Sequence, residues 1–371
     1  MPIKVWDYLE EYAAEREEIL AAVDRVFKSG VLILGNSVRQ FESEFAAYCG
    51  SPHGVGVDNA TNGIFLALKA LGIGAGDEVI TVSNTAVPTV SAIVQAGATP
   101  RFIDIHPVNG LMDVSLLEAS ITSRTKCVIP VHLHGQCVDI TMLEAACRRH
   151  SIAIIEDCSQ SHSARHRGRV CGSMGDLGVF SFYPTKPLGA YGDGGLVTAS
   201  SAELDARLRT LRFYGMKGVY YAEESGFNSR LDEVQAEILL VKLKRLDAYI
   251  ARRQALARRY DQILASTSLG LPVAAPGNSH VYYIYCVRHP ERDRIISELK
   301  TRDIFVNISY PWPIHTMRGY SYLGGKEGDL PHTEAAAKVI FSLPMYPSMT
   351  EQAQDIVCCA LGEILGEKVH V

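Results

Sequence analysis

Apolar residues recur along this chain with two different periods, and the switching between them sets the expected fold. Residues 7–28 and 38–48 repeat apolar side chains every three to four positions, which predicts two helices ahead of the turn at Cys49-Gly50-Ser51-Pro52. Short β-favouring runs then occupy 54–57, 78–82, 100–105, 126–132, 152–156, 177–182 and 194–198. Helical patterns fall at 64–71, 89–96, 114–119, 142–150 and 202–213. Strands alternating with helices predict an α/β architecture, a mostly parallel sheet covered on both faces, in a large domain over residues 1–250.

A helix over 231–249 carries Leu231, Val234, Ile238, Val241 and Leu246 at a helical repeat and is expected to bridge to the C-terminal part. Beyond about residue 250 the texture changes. A long helix to 264, Pro/Gly-punctuated loops, a strand at 282–288, a helix at 293–302, a short strand at 305–309, a loop to 331 and two final helices predict a smaller α+β domain over 251–371.

Composition narrows the function classes. A chain of 371 residues with 47% hydrophobic and 21% charged residues has the make-up of a folded enzyme, not of a disordered segment. The net charge is -5, and the densest basic group, Arg252, Arg253, Arg258 and Arg259, falls at helical spacing as a solvated face. Nothing points to nucleic acid. The N-terminal residues form no leader pattern and no 18-residue apolar window exists, so a soluble, cytoplasmic protein is expected. The nine cysteines contain no Cys-x-x-Cys and read as reduced packing residues. His132 and His134 share one face of a strand but have no third ligand nearby in sequence, so no metal site is expected.

The chemistry concentrates around one lysine. Lys186 lies between the strand-like run 177–183 and a turn with Gly189, Gly192, Gly194 and Gly195, where the backbone can approach a ligand closely. It is a candidate Schiff-base nucleophile. Asp157 closes another apolar strand, at the carboxyl end where open α/β sheets bind ligands. Pyridoxal phosphate needs that pair: an amine for its aldehyde and a carboxylate that keeps the pyridine nitrogen protonated. Taken alone, Asp157 reads equally as a helix cap or a loop acid. The turn Asp58-Asn59-Ala60-Thr61-Asn62-Gly63 between a strand and a helix offers free N–H groups and hydroxyls to a phosphate, or is an ordinary cap.

With these placed, the chain resembles the DegT/DnrJ/StrS-type sugar aminotransferases, which are fold-type I pyridoxal phosphate enzymes. The resemblance runs nearly end to end and rests on segments 30–35, 66–77, 97–104, 130–136, 155–160, 180–195, 226–235 and 310–315. It implies that Lys186 holds the cofactor aldehyde and then carries a proton between substrate and cofactor, while Asp157 pairs with the pyridine nitrogen. Gln160 would bond the ring hydroxyl; Thr61, the Asn62 backbone and Ser181 would take the phosphate. Asn228 would reach the phosphate of a neighbouring subunit, which implies a homodimer with shared sites. Where relatives stack an aromatic residue on the ring, this chain has Ala86. Pro187 follows the lysine and Ala60 precedes Thr61, two further departures.

The resemblance further implies glutamate or glutamine as amino donor, a nucleotide-linked keto sugar as acceptor, and Tyr183, Arg230, Tyr310 and His315 as substrate contacts. The combination of segments 84–89, 181–186 and 189–195 is most similar to the branch that aminates C3 of dTDP-linked 3-keto-6-deoxyhexoses; amination at C4 is the alternative. Relatives that dehydrate sugars carry histidine in place of Lys186, and a non-catalytic regulator would not need Lys186 and Asp157. A dinucleotide-dependent dehydrogenase would need Gly-x-Gly-x-x-Gly after the first strand, which is absent.

Overall fold

Seven short apolar runs assemble into one sheet, and their direction decides where the functional residues meet. The computed structural model describes residues 2–218 and 220–371. Strands β1 (His53–Val57), β2 (Glu78–Val82), β3 (Thr99–Ile103), β4 (Thr125–Val128), β5 (Ala153–Asp157), β6 (Leu177–Ser181) and β7 (Gly195–Ala199) lie in the order β1-β7-β6-β5-β4-β2-β3. Only β7 runs antiparallel to its neighbours; the other pairings are parallel. The carboxyl ends of the other six strands therefore share one edge, and ligands bind at such edges.

Helices cover both faces: α1 (Leu9–Ser29), α2 (Asn36–Cys49), α3 (Ala60–Ala70), α4 (Val87–Gln95), the short α5 (Leu117–Ser120), α6 (Ile140–His150) and α7 (Ala202–Leu211). Side chains alternate across β6, so Leu177 and Val179 join Leu66 of α3 in one core while Phe180 joins Phe41 and Phe45 of α2 in the other. The Phe45 ring lies 4.9 Å from Phe180 and 5.3 Å from Phe182, both edge-on. Fully burying one such side chain contributes about 2–3 kcal/mol, so this cluster fixes the strand that leads to Lys186.

The C-terminal part contains α8 (Glu233–Leu243), α9 (Leu246–Leu264), β8 (Tyr285–Arg288), α10 (Arg292–Thr301), α11 (Pro331–Val339), β9 (Ile340–Leu343) and α12 (Glu351–Leu365). Strands β8 and β9 pair antiparallel, and Leu256, Tyr260, Tyr285, Phe341 and Leu361 build a core of their own with Ile3 from the N-terminus. Helix α9 crosses between cores: Ile250 packs in the α2 core, Leu256 in this one.

Several expectations are corrected. The helix expected over 231–249 breaks at Lys244 and Arg245, where Lys242 bonds Glu11 at 2.7 Å and Arg245 pairs with Glu18, both on α1. No glycine or proline marks that break. The strand expected at 282–288 begins at Tyr285, because Tyr282 has φ +50°. The strand expected at 305–309 is only a bridge from Asn307 to Ser342, and β9 forms between the two final helices, where no strand was expected. Cys137 and Cys171 form a disulfide, which overturns the all-reduced reading; their separation of 34 residues gave no spacing signal. The other seven cysteines are free. Among the described residues no helix is long and apolar enough to cross a membrane.

Candidate active site

The carboxyl edge of the sheet opens into a cleft of about 540 Å³ lined by Thr61, Asn62, Ala86, Asp157, Gln160, Ser181, Tyr183 and Lys186. The fold thus brings together eight residues singled out in sequence. Each comes from the end of a strand, from the loop after it or from the start of the following helix.

Lys186 sits in the loop between β6 and β7. Its N–H donates to the Tyr183 carbonyl at 2.9 Å, and Ala190 N–H donates to Phe182 at 2.8 Å, folding the loop back on itself. A Cβ on Gly189 would lie 2.4 Å from the Pro184 oxygen, and one on Gly195 would lie 2.7 Å from the Asn59 carbonyl carbon. Glycine at 195 is what lets β7 start against the turn that opens α3. The Gln235 amide clamps the Tyr191 backbone from both sides, accepting from its N–H at 3.1 Å and donating to its carbonyl at 3.2 Å.

Asp157 is buried at the end of β5 with both carboxylate oxygens engaged. Thr89 Oγ1 donates to Oδ2 at 2.8 Å; the Ser159 N–H and hydroxyl donate to Oδ1 at 3.1 and 2.6 Å. At the opposite kind of terminus, the start of α3, Asn59 Oδ1 accepts from Asn62 N–H at 2.9 Å. The Asn62 amide is therefore committed to the cap, and Asn62 Nδ2 donates to Asp58 at 2.7 Å. The first N–H groups of α3 and the Thr61 hydroxyl are what remains for an anion.

Gln160 Oε1 accepts from His134 N–H at 2.9 Å, and its Nε2 donates to the Tyr310 hydroxyl. Tyr310 lies parallel to His134 with ring centres 6.4 Å apart. Burial pushes the Tyr310 hydroxyl up, and burial followed by the Arg288 charge pushes His134 down to about 3. Both rings stay neutral at physiological pH.

Three expected site residues lie elsewhere. His315 is buried outside the cleft, with Nδ1 2.8 Å from Ser83 Oγ and Nε2 3.0 Å from Glu334. Those bonds give it a structural place, not the substrate contact expected. Asn228 is exposed, bridges to Phe213 and is not among the residues lining its own chain's cleft. Arg230 stands 5.5 and 5.6 Å over the rings of Phe213 and Tyr214, beside a separate cavity of about 570 Å³.

Of the His132–His134 pair, His132 is likewise spoken for. His132 Nδ1 accepts from Val138 N–H at 3.1 Å, so its proton is on Nε2, which donates to Glu156 at 2.8 Å. Burial alone would raise Glu156, but the bonds from His132 and from the N–H groups of Gly172 and Gly175 outweigh it and hold the carboxyl low. Glu156, His132 and Cys171 come within metal-ligand range, yet Cys171 is in the disulfide and the carboxylate is filled by three backbone donors.

Sequence reading missed Thr89, Ser159, Gln235 and Tyr283. Thr89 lay inside a quoted segment, and its role needs the three-dimensional approach to Asp157. Tyr283 arrives from the C-terminal part, its ring centre 4.6 Å from Lys186 Nζ. No local signal announces it.

An amine on a glycine-shaped loop, a buried carboxylate fixed by three donors and a helix N-terminus with an open hydroxyl fit a flat cofactor that is cationic at its ring and anionic at its far end. This fold with a lysine and a buried carboxylate in one cleft matches the aminotransferase class. The chain belongs to the DegT/DnrJ/EryC1/StrS aminotransferase family, whose model matches residues 13–362. It is 55% identical over 371 residues, 98% of this chain and 99% of the relative, to a dTDP-3-amino-3,4,6-trideoxy-alpha-D-glucose transaminase of Micromonospora megalomicea subsp. nigra. It is 40% identical, over 98% of each chain, to a Geobacillus stearothermophilus protein named pleiotropic regulatory protein. Among solved structures, S. venezuelae DesV in complex with a ketimine intermediate superimposes with TM-score 0.97 at 41% identity, covering 99% of both chains.

Proposed function

We propose that this protein uses pyridoxal 5'-phosphate to transfer an amino group from glutamate or glutamine to C3 of a dTDP-linked 3-keto-6-deoxyhexose. The observation that carries the reading is Lys186 and the thrice-bonded Asp157 lining one cleft. The C3 preference is supported by the 55% identity to a transaminase named for a 3-amino sugar.

The bound cofactor supplies an aldehyde for an amine and a ring that accepts electrons from the substrate carbon. The protein's part is to orient and to move protons. Asp157, oriented by the donors Thr89 and Ser159, would pair with a protonated ring nitrogen. Gln160, fixed between His134 and Tyr310, presents its amide edge to the ring hydroxyl. Thr61, Ser181 and the first N–H groups of α3 meet the phosphate. Lys186 Nζ takes a proton from one carbon and returns it to another, a task for a positioned amine. Ala86 offers only a methyl to the ring face, so binding rests more on the polar ends of the cleft. Tyr183, half-exposed at the mouth, is placed to touch the sugar.

The molecule works in this reading as a cytoplasmic homodimer. The exposed Asn228 reaches the partner's phosphate, and Arg230 with its aromatic neighbours borders the partner's cleft. The domain boundary falls near residue 250, inside α9, where the helix passes from one core to the next.

Purified protein supplied with pyridoxal phosphate is expected to absorb visible light, to bleach with glutamate, and to lose both properties in Lys186→Ala. A wild-type protein that does not bind the cofactor overturns the reading.

A further inference from the structure

Tyr283 belongs to the C-terminal part, yet its ring is the group that Lys186 Nζ rests on, 4.6 Å from the centroid. Three independent devices hold the ring there. Its hydroxyl bonds the Thr185 hydroxyl at 3.1 Å, one residue before the lysine. Its carbonyl accepts from Arg253 Nη1 at 3.1 Å. Its backbone packs on Gly135, whose φ is +109° and where a Cβ would lie 2.8 Å from Tyr283 N.

Arg253 is the more telling of these. It is buried, burial pushes it down to about 10 against the opposing charge of Glu11, and among the described residues no carboxylate lies within ion-pair distance of it. Its Nη1 instead gathers the carbonyls of Tyr282, Tyr283 and Met345 at 3.4, 3.1 and 3.0 Å. A buried cation without a counter-ion is costly, and here it fixes the segment that presents Tyr283. Tyr282, in the left-handed region, makes the bend that turns the next side chain toward the cleft.

We infer that the Tyr283 ring is the docking place of the Lys186 ammonium whenever that amine is free of the cofactor, so that it holds the proton-bearing lysine in position between its two proton transfers. The inference rests on the proposed function, because it concerns a lysine that carries a proton. An aromatic face attracts an ammonium and not a neutral amine, and the attraction grows as water is excluded. Both conditions are met by a half-buried ring set against the lysine that lines the cleft.

The test uses the full-length protein saturated with pyridoxamine phosphate, in which the lysine amine is free. Labelling of Lys186 by an acylating reagent, read by peptide mass spectrometry, reports the neutral amine. Tyr283→Phe keeps the ring and is expected to label at the wild-type rate. Tyr283→Leu, and pentafluorophenylalanine at 283, which keeps the shape but reverses the ring's electrostatics, are expected to label about 2- to 30-fold faster. If Tyr283→Leu does not fold, the fluorinated variant decides alone. An unchanged rate with the fluorinated ring overturns the inference, whereas a wild-type protein that fails to bind pyridoxamine phosphate overturns the proposed function instead.

Discussion

Asp157 shows how far the orientation of a candidate site residue is set by its neighbours. Among the described residues Thr89 is its only donor at Oδ2, and Thr85 Oγ1 lies 3.1 Å behind it. Thr89→Val keeps the shape and removes the donor. It is expected to lower kcat about tenfold and weaken cofactor affinity, with Thr89→Ser restoring both, in line with a charge-assisted bond of about 1.5–3 kcal/mol. Kinetics together with a cofactor titration check this. Buried histidines set the acid limit of the protein: His134, His162 and His280 are all pushed down to about 3, mainly by burial. The unfolded chain takes up protons on these rings near pH 6.5 while the folded chain does not. Their contribution is therefore complete above that pH and is lost as pH falls from about 6.5 toward 3, with a slope of up to about 4 kcal/mol per pH unit. Urea unfolding across pH 4.5–7 measures it, and His162→Phe is expected to remove about a third of the slope.

Helix α3 and the loop between β6 and β7 are the elements on which the site depends, and they meet at Gly195. Removing the α3 cap with Asn59→Ala is expected to destabilise by about 1 kcal/mol and to loosen the turn that carries Thr61, which thermal unfolding with and without phosphate detects. These elements were legible in the sequence because their signals are local. β-favouring runs, a capping Asn and a glycine cluster all declare themselves within ten residues or so. Strand β9 and the break between α8 and α9 were not legible. Residues 340–343 form a strand because Tyr285–Arg288 lies beside them, and the break follows ion pairs to a helix more than 200 positions earlier. The same division runs through the site. Asp157 ends a strand, Lys186 follows one in a glycine-rich loop and Thr61 opens a helix, so these could be read directly, whereas Tyr283 and the Cys137–Cys171 bond exist only through contacts distant in sequence. His315 shows the opposite error: a motif position expected at the substrate is filled by Ser83 and Glu334.

At the scale of the whole molecule, the exposed Asn228 offers a test of the proposed dimer. If each site draws on two chains, mixing Lys186→Ala with Asn228→Asp yields hybrid dimers that hold one site with both residues intact. Two nearly inactive preparations are then expected to recover about a quarter of wild-type activity after dissociation and reassociation, the share set by random pairing in a two-fold dimer. Additive, unrecovered activity would place each site within a single chain. The choice of acceptor is settled by running the reaction backwards, with 2-oxoglutarate and a matched panel of dTDP-linked 3-amino and 4-amino 6-deoxyhexoses. The structure and its relatives lead us to expect glutamate formed in step with consumption of the 3-amino compounds, and none in Lys186→Ala; consumption of the 4-amino compounds alone would contradict this account.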